Sequence, residues 1–346
     1  AITANDFSFK DGEVMSMGEK ASIAIINPVA SGEMAVCEAI LNLCSSPVGN
    51  IAKIALSANW MSSFDNDFDK YNLFKTAESV TSNICNKLGV TIPVGKDSLS
   101  MKMSWAEGNK EINVKSPNTL IVSAFASVHN LKNIIKPMFI NEKDSSIIFV
   151  DLADGKKRTG GSALSQVLQT DDSECPKVEN ILKFKSFFEE TQNLINSKKI
   201  LSYHDKSDGG LITTLIESAF AGHVGIDIYY NQDLLGLEKA FDSELDQYIK
   251  FFFNEELGVV MQISNKFLSE VQKLYSEIGI KTYVIAKLNP EYEVTIYDAR
   301  DMPFYSTSLE ALHKIWHRTS YEIQKIRDNS KTSESEYNSI GKLNNK

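Results

Sequence analysis

The sequence predicts a two-domain protein that mixes helices and strands, of the α/β or α+β class. The chain has 346 residues, which corresponds to about two domains because a domain typically spans ~100–200 residues. Hydrophobic residues make up 42% of it and charged residues 23%, so there is enough apolar material for a buried core. Segments with helical periodicity alternate irregularly with strand-like segments, which argues against an all-helical chain.

The clearest element of the first region is a helix. The turn cluster 27–32 is followed by apolar residues at spacings near three and four, which predicts an amphipathic helix over 31–43 with Ser31 as its N-cap. The remaining segments predict, in chain order, a strand over 51–56, a helix over 73–88, a strand over 90–94, a turn over 95–98 and a strand over 120–128.

The second region begins after a polar stretch. Residues 130–144 are polar and contain Pro137, so we place the domain boundary near residue 140. Beyond it, apolar runs predict strands over 146–152, 200–203 and 258–263 and near 283 and 294, with helices over 211–221 and 267–278. The predicted organisation is a first domain over 1–140, a second over 141–300, a helical extension over 301–327 and a linker or disordered tail over 328–346.

Charge and cysteine content narrow the class of function. Lysine and arginine total 36 against 45 acidic residues, a net charge of −9, which disfavours a nucleic-acid partner. A small phosphorylated ligand stays open because backbone N–H groups and a few local cations can hold phosphate. Since there is no CxxC pair and no long apolar run, we expect neither disulfides nor a membrane span and predict a cytoplasmic protein. The N-terminus lacks an initiator methionine and a signal peptide, so we expect a piece of a longer chain.

Glu38 and Asn42 stand four residues apart on the predicted helix over 31–43, so their side chains project from one face. A carboxylate and an amide oxygen in this arrangement suit a hard cation such as Mg²⁺. A hydrogen-bonded polar pair on a solvated face explains the same spacing. The pattern alone leaves both interpretations open.

The segment Gly95-Lys96-Asp97-Ser98 follows the predicted strand over 90–94. Glycine lets a ligand approach the backbone closely and lysine attracts negative charge, although the Walker A spacing is absent. Because these four residues are also ordinary turn composition, a ligand-binding loop and a structural turn both stay open.

The segment 204–210 (HDKSDGG) is the densest polar cluster, with an imidazole, two carboxylates, a hydroxyl and two glycines between a predicted strand and a predicted apolar helix. Polar density at such a junction is typical of a ligand site, and the start of the helix favours an anion. A capping turn would explain Ser207 or Asp208 alone, but not the whole cluster. Two further segments are weaker: 159–162 lacks a nucleotide fingerprint, and 254–258 is more simply the start of a strand.

Five segments together resemble the phosphoribosylformylglycinamidine synthase family, the amidotransferases of purine biosynthesis, in their large single-chain form. They occur in the family's order and span almost the whole chain. The matching segments are 57–61 (SANWM), 92–102 (IPVGKDSLSMK), 204–211 (HDKSDGGL), 219–223 (AFAGH) and 253–258 (FNEELG).

The resemblance implies a fold and a place within a longer protein. The chain would be the second of two homologous halves of the synthase region, with an N-terminal domain that helps to build a shared β-barrel and a C-terminal α/β domain like that of aminoimidazole ribonucleotide synthetase. The first half and a glutaminase domain would be its partners, normally in the same chain. The tail from residue 328 would lead to the glutaminase, and this chain alone would be inactive.

The resemblance also implies ligands. Glu38, Asn42 and Asp205 match magnesium ligands of an auxiliary ATP/ADP site, and Ser207 matches a nucleotide contact there.

A second group of residues is implied at the catalytic site. Gly95 would contact nucleotide, and Lys96, Asp97 and Ser98 would belong to a loop that faces the catalytic site across the interface between the halves.

By resemblance, the whole enzyme is a carbon–nitrogen ligase. It would use ATP to join ammonia released from glutamine to formylglycinamide ribonucleotide (FGAR), giving formylglycinamidine ribonucleotide (FGAM), ADP, phosphate and glutamate. ATP converts a carbonyl oxygen into phosphate, a good leaving group, while Mg²⁺ offsets phosphate charge. The alternative is a non-catalytic half whose auxiliary Mg-ADP stabilises the fold by mass action.

Overall fold

The computed structural model describes residues 1–170, 173–230 and 244–342 and confirms a mixed α/β protein built on two sheets. The elements of the first region are β1 Ile2–Ala4, β2 Asp11–Glu19, α1 Pro28–Cys44, β3 Ala55–Met61, α2 Asp67–Glu78, α3 Asn86–Leu88, β4 Thr91–Ser98, β5 Lys102–Glu107, β6 Lys110–Lys115 and β7 Thr119–His129. A π-helical stretch, Ser79–Cys85, joins α2 to α3, so the predicted helix over 73–88 is one continuous helical segment.

Helix α1 begins earlier than predicted, and its N-cap is a different residue. Pro28 is its first residue, and the side chain of Asn27 accepts a hydrogen bond from Ala30 N at 3.0 Å. Asn27 is therefore the N-cap, and the assignment of that role to Ser31 is wrong. Ser31 is buried within the helix, where its Oγ donates to Lys20 O at 2.6 Å.

Three other predictions for the first region need correction. Residues 51–53 form a 3₁₀ turn, so β3 starts later than predicted. The helix predicted over 73–88 starts earlier, because the side chain of Asn66 caps α2 by accepting from Asp69 N at 2.8 Å. Residues 95–98 are not a turn but the second half of strand β4, which pairs in parallel with β3.

The first sheet has five strands in the order β1-β2-β7-β3-β4. Helix α1 packs closely on one face, since a Cβ added at Gly18 would lie 2.1 Å from Ala35 O, and only glycine permits that approach. The opposite face carries exposed apolar side chains, among them Met15, Met17 and Phe125. Within the described residues, this sheet is therefore covered by a helix on one side and open on the other.

The second region forms a seven-stranded mixed sheet in the order β14-β13-β10-β12-β8-β11-β9. Its elements are β8 Ser145–Asp151, α4 Ala163–Leu168, α5 Ile181–Asn196, β9 Ile200–Asp205, α6 Gly210–Gly222, β10 Gly225–Tyr229, α7 Glu244–Phe253, β11 Gly258–Ser264, α8 Asn265–Glu277, β12 Lys281–Asn289, β13 Glu293–Tyr297 and β14 Pro303–Ser308. All the strands and helices predicted for this region are present within a few residues of the expected bounds. Strand β8 is buried along its whole length, which accounts for the run of four apolar residues at 147–150.

The helical extension predicted over 301–327 begins with a strand instead, because β14 pairs with β13 in the second sheet. Two helices follow it: α9 Leu309–Arg327 and α10 Ser330–Tyr337. Helix α10 lies where we predicted a linker or disordered tail, so that part of the prediction differs from the structure. It packs against α9 through the stacked rings of Tyr321 and Tyr337, whose centroids are 4.2 Å apart, and Tyr337 Oη donates to Lys314 O at 3.1 Å. Aromatic stacking thus orders a segment with few aliphatic residues.

One apolar core continues from the first domain into the second. Side chains of α1, β3 and β7 share a cluster with those of α5, α8, β9 and β11, while α6, α7 and α9 cover the other face of the second sheet. Tyr203 of β9 donates its hydroxyl to Leu41 O of α1 at 3.0 Å, so the end of β9 lies against α1. Among the described residues, no helix combines the length and apolarity that crossing a membrane requires.

Candidate functional site

Four charged or polar residues meet where the two domains touch, and we call Lys20, Glu38, Ser207 and Asp208 the seam cluster. Lys20 Nζ lies 3.0 Å from Glu38 Oε1 and 2.7 Å from Asp208 Oδ1, and it donates to Ser207 Oγ at 3.0 Å. The hydroxyl of Ser207 in turn donates to Glu38 Oε1. These contacts join β2 and α1 of the first domain to the loop after β9, and they bring together two residues, Glu38 and Ser207, that the sequence analysis placed in one site.

The backbone around Lys20 fixes its position. It directly follows β2, whose last residue, Glu19, donates its N–H to Glu38 Oε2 at 2.8 Å, while Ser31 Oγ holds the Lys20 carbonyl. Burial lowers the pKa of Lys20, but the carboxylates of Glu38 and Asp208 outweigh burial and raise it above its ordinary value. The seam cluster therefore holds a permanent positive charge beside two carboxylates.

Glu255 occupies the position at the start of α6 that we had assigned to a ligand anion. Its Oε1 accepts hydrogen bonds from Gly209 N and from Ala163 N, both at 2.8 Å. These donors lie at the starts of α6 and α4, where backbone N–H groups lack partners within the helix. Burial raises the pKa of Glu255. The expected anion at this helix end is thus the protein's own carboxyl group.

The double glycine of the segment 204–210 has a backbone reason. Gly209 and Gly210 adopt φ of +82° and +72°, and a Cβ at Gly210 would lie 2.6 Å from Phe252 O. Only glycine is comfortable in that conformation and that space. The glycines therefore shape the turn into α6 and set where Ser207 and Asp208 project.

A second chain of contacts leads away from Asp205, the residue that ends β9. His204 Nδ1 lies 3.4 Å from Asp205 Oδ1, and His204 Nε2 lies 3.1 Å from Glu217 Oε2. The other oxygen of Glu217 accepts from Trp316 Nε1 on α9 at 2.8 Å. Burial lowers the pKa of His204, but the two carboxylates outweigh it and raise the pKa to about 9.

Asp205 and Asn42 lie on β9 and α1, two elements that contact each other beside the seam cluster. Side chains alternate along a strand, so Asp205 is on the same face of β9 as Tyr203, whose hydroxyl contacts α1 at Leu41 O; Asp205 is buried there. Asn42 lies one helical turn beyond Glu38, is exposed, and donates its amide to Met17 O at 3.1 Å.

Mg²⁺ fits this donor set by its chemistry. Within residues 1–170, 173–230 and 244–342, no three His, Cys, Asp or Glu side chains form a group that could hold a metal ion unaided. Mg²⁺, however, usually takes one or two carboxylates and completes its octahedron with water and phosphate oxygens. Glu38 and Asp205 offer two carboxylates and Asn42 an amide oxygen. Magnesium at this seam would therefore share its shell with a nucleotide phosphate.

The residues predicted to serve catalysis lie elsewhere. Across the first sheet, Lys96 pairs with Asn59, Asn59 with Ile121 and Ile121 with Glu19. Three strand spacings of about 4.8 Å separate the backbones of Lys96 and Glu19 by about 14 Å. Directly paired residues share a face of a sheet, and Glu19 points away from α1. Lys96 therefore lies on the open face of the first sheet.

Its neighbours on β4 are also at the sheet edge. Lys96 and Asp97 are exposed and Ser98 is half-buried. A Cβ at Gly95 would lie 2.5 Å from Ala58 O, so this glycine allows β3 to approach, which is a structural reason for its presence. The structure thus separates the residues predicted for catalysis from those predicted to bind magnesium.

Sequence reasoning missed Lys20, and for the segment 254–258, which could hold a carboxylate in a site, it favoured a turn at the start of a strand. Lys20 lies 187 residues from Ser207 along the chain, and no spacing rule connects them. The available signal was the charged pair Glu19-Lys20 at the end of strand β2. Glu255 was attributed to the start of a strand, because only the folded chain places its carboxyl against two helix ends.

Two family models match the chain in succession. The FGAR-AT PurM_N-like domain matches residues 1–127, and the C-terminal domain of AIR synthase related proteins matches residues 144–299. The seam cluster lies where these two matched domains touch. Fold and site together define a two-domain protein of the AIR synthase related class.

A curated relative extends the match to almost the whole chain. Phosphoribosylformylglycinamidine synthase of Schizosaccharomyces pombe is 37% identical in an alignment of 349 positions that covers 99% of this chain. The chain belongs to the phosphoribosylformylglycinamidine synthase family. It spans only 26% of the length of that relative.

Solved structures show the same fold. T. maritima PurL complexed with FGAR superposes with a TM-score of 0.69 at 14% identity, covering 90% of this chain and 47% of that one. The same protein complexed with ADP gives a TM-score of 0.67 at 14% identity and covers 90% of this chain and 45% of that one. At such identities the similarity shows the fold alone.

Proposed function

We propose that this chain is the second half of the synthase region of a phosphoribosylformylglycinamidine synthase and that its seam holds a magnesium nucleotide. The observation that carries the proposal is the meeting of Glu38 from the first domain with Ser207 from the second, around the buried ammonium of Lys20. Small-molecule sites occur preferentially at interfaces between domains. The ADP complex of T. maritima PurL, which has this fold, supports the same choice of ligand.

Each residue has a distinct part in binding. Glu38, Asp205 and Asn42 would hold Mg²⁺, which supplies charge neutralisation of the phosphates when bound. Ser207 would donate its hydroxyl to a phosphate oxygen, and Lys20 would keep a positive charge at the closed end of the seam. Lys20 offsets only one of the three carboxylates of Glu38, Asp205 and Asp208, so the site would admit a polyanion only together with a cation.

The segment 95–98 would serve the reaction itself. In the whole enzyme, ATP would activate FGAR, and glutamine-derived ammonia would replace the activated oxygen to give FGAM. The support is positional: Lys96 lies on the open face of the first sheet, the face that also carries Met15, Met17 and Phe125. An exposed apolar face of this kind is an interaction surface. The first half of the synthase region would cover it, and a glutaminase domain would complete the enzyme.

The alternative function is a structural half that binds Mg-ADP without turnover. The backbones of Lys96 and Glu19, the residue before Lys20, are about 14 Å apart, which favours this alternative for the seam itself, since a nucleotide there would be apart from the segment 95–98. We also propose a domain limit near residue 140 and a cytoplasmic location. The four buried free cysteines support a reducing compartment.

Asp205→Asn tests the nucleotide site. In the longest natural polypeptide that carries this sequence, we expect the substitution to weaken Mg-ADP binding at least about tenfold, or ~1.4 kcal/mol, because one anionic oxygen is lost from a hard-cation site. Isothermal calorimetry with ADP and Mg²⁺ measures it. The matched control is Asp67→Asn on the surface of α2. Unchanged affinity in Asp205→Asn would remove the seam as the magnesium site.

Lys96→Ala tests the catalytic segment. An assay with ATP, Mg²⁺, ammonia and FGAR bypasses the glutaminase and isolates the synthase step. We expect Lys96→Ala to lower the rate by about a hundredfold, since a positioned cation near a reacting phosphoryl group typically contributes several kcal/mol. Lys110→Ala, an exposed lysine of the same domain, is the control. Equal rates for the two variants would favour the structural alternative.

A further inference from the structure

The imidazole of His204 is held between two carboxylates, one on each ring nitrogen. Nδ1 lies 3.4 Å from Asp205 Oδ1 and Nε2 lies 3.1 Å from Glu217 Oε2. Glu217 sits on α6, and His204 sits on the face of β9 that packs against that helix, opposite to the seam. The His204 ring lies on the α6 side of β9 and contacts, at the end of the strand, the carboxyl group of Asp205 on the α1 side.

The far carboxylate is itself fixed from a third element. Glu217 Oε1 accepts the indole N–H of Trp316 at 2.8 Å, and the Trp316 ring packs at 5.2 Å from the ring of Phe220. His313, one turn earlier on α9, stacks on Phe220 at 4.4 Å. Helix α9 thus holds the Glu217 carboxylate in place through the Trp316 hydrogen bond.

We propose that His204 is a positioning residue for Asp205, oriented by Glu217, and that this contact fixes the Asp205 carboxylate for the magnesium nucleotide at the seam. The proposal rests on the proposed function of the seam. In metal sites, a group that holds a ligand in place through a hydrogen bond typically changes metal affinity 10–100-fold when it is removed. His204 has this position relative to Asp205, but the contact is an ion pair, with Nδ1 3.4 Å from Asp205 Oδ1; the hydrogen bond of the ring is to Glu217 Oε2.

Two conservative substitutions separate this role from a purely structural one. The amide nitrogen of asparagine is two bonds from Cβ, like Nδ1, whereas that of glutamine is three bonds away, like Nε2. His204→Asn can therefore keep the contact with Asp205 and lose that with Glu217. His204→Gln does the opposite. If His204 only supported α6, the glutamine variant would be the better substitute.

The experiment measures how much Mg²⁺ each variant needs to retain ADP, in the longest natural polypeptide that carries this sequence. We expect His204→Gln to raise the Mg²⁺ concentration for half-maximal ADP retention about tenfold and His204→Asn less than about threefold. ADP retention at saturating Mg²⁺ should stay within about twofold of wild type in both variants. The melting temperature of each variant, measured in parallel, reports any loss of stability separately from the change in Mg²⁺ requirement.

Glu217→Gln is a further variant, on a side chain that is partly exposed and so tolerates exchange. It should raise the Mg²⁺ requirement about threefold by removing the charge that orients the ring. Equal effects of His204→Asn and His204→Gln, or a larger effect of the asparagine variant, would overturn the positioning role while leaving the seam as the site. Absence of Mg²⁺-dependent ADP retention by the wild type would overturn the proposed function and this inference with it.

Discussion

Replacing Lys20 by methionine removes the ammonium group of the seam cluster but keeps a side chain of similar length and its apolar stem. Lys20 is 4% exposed and Glu38 8%, so water cannot hydrate the Glu38 carboxylate in place of the lost ammonium group. The Glu38 carboxylate would be left buried without its ion pair. We expect a large loss of stability.

The magnitude follows from the contacts that stay. Breaking a buried ion pair by removing one partner costs about 3–5 kcal/mol. Asp208 contributes little of this because its side chain is 79% exposed. Glu38 keeps the Glu19 N–H and the Ser207 hydroxyl, which places the loss at the low end, about 3 kcal/mol. For a domain of this size, that loss lowers the melting temperature by about 6–12 °C.

The sign of the pH dependence is also defined. The pKa of Lys20 is raised above its unfolded value of 10.5, so the stability that its charge provides is fully present below that value and is lost only as the pH rises through the still higher folded pKa. The stability that the Lys20 charge gives to the wild type should therefore be the same at about pH 6 and about pH 9.

Differential scanning calorimetry of the variant and the wild type measures the effect. The control is Lys70→Met, which breaks the exposed pair with Asp67 and the contact of the Lys70 ammonium with the Phe64 ring and should cost less than about 1 kcal/mol. Adding Glu38→Gln to Lys20→Met should recover part of the loss, because the buried charge is then gone. A Lys20→Met melting temperature equal to that of Lys70→Met would refute the reasoning.

Two further predictions concern titration. The pKa of His204 is raised from 6.5 to about 9, so its charge stabilises the fold fully below pH 6.5 and progressively less up to pH 9. The free energy of unfolding of the wild type exceeds that of His204→Gln, and this difference should shrink by about 2–3 kcal/mol across that range. A difference in urea unfolding that stays constant with pH would contradict this. The pKa of Lys206 is lowered from 10.5 to about 8, chiefly by burial, so its charge opposes folding below pH 8 and ceases to do so above about pH 10.5. Lys206→Met should therefore be more stable than wild type by about 1–2 kcal/mol at pH 7, with the gain vanishing near pH 10.5; a variant less stable at pH 7 would show that the hydrogen bond from Lys206 to Asn254 outweighs the cost of burying the charge.

Several elements could be predicted from local patterns. Helix α1, helix α6 and strand β8 were predicted in type and approximate position because each is buried, and burial imposes a strong apolar pattern. Strand β4 was predicted only in its first half. Its second half, 95–98, is exposed at a sheet edge and lacks the apolar residues by which a strand is recognised, while its glycine imitates a turn.

Helix ends were less predictable than helix interiors. Ser31 looked like an N-cap because serine is common there, yet Asn27 with Pro28 provides the better cap. Helix α10 was missed for a different reason: what stabilises it is the stacking of Tyr337 on Tyr321 of α9, a contact between helices that composition cannot show.

The sequence by itself determined the mixed fold class, the two-domain division and the family, because hydrophobic period and the segment 204–211 are local properties of the chain. It also singled out Glu38 and Ser207 as site residues. Only the tertiary structure decided that these two meet around Lys20 and that Glu255 fills the start of α6. The physical reason is that electrostatic partners are selected by distance in space, and residues far apart in the chain are brought within 3 Å only by the packing of the two domains.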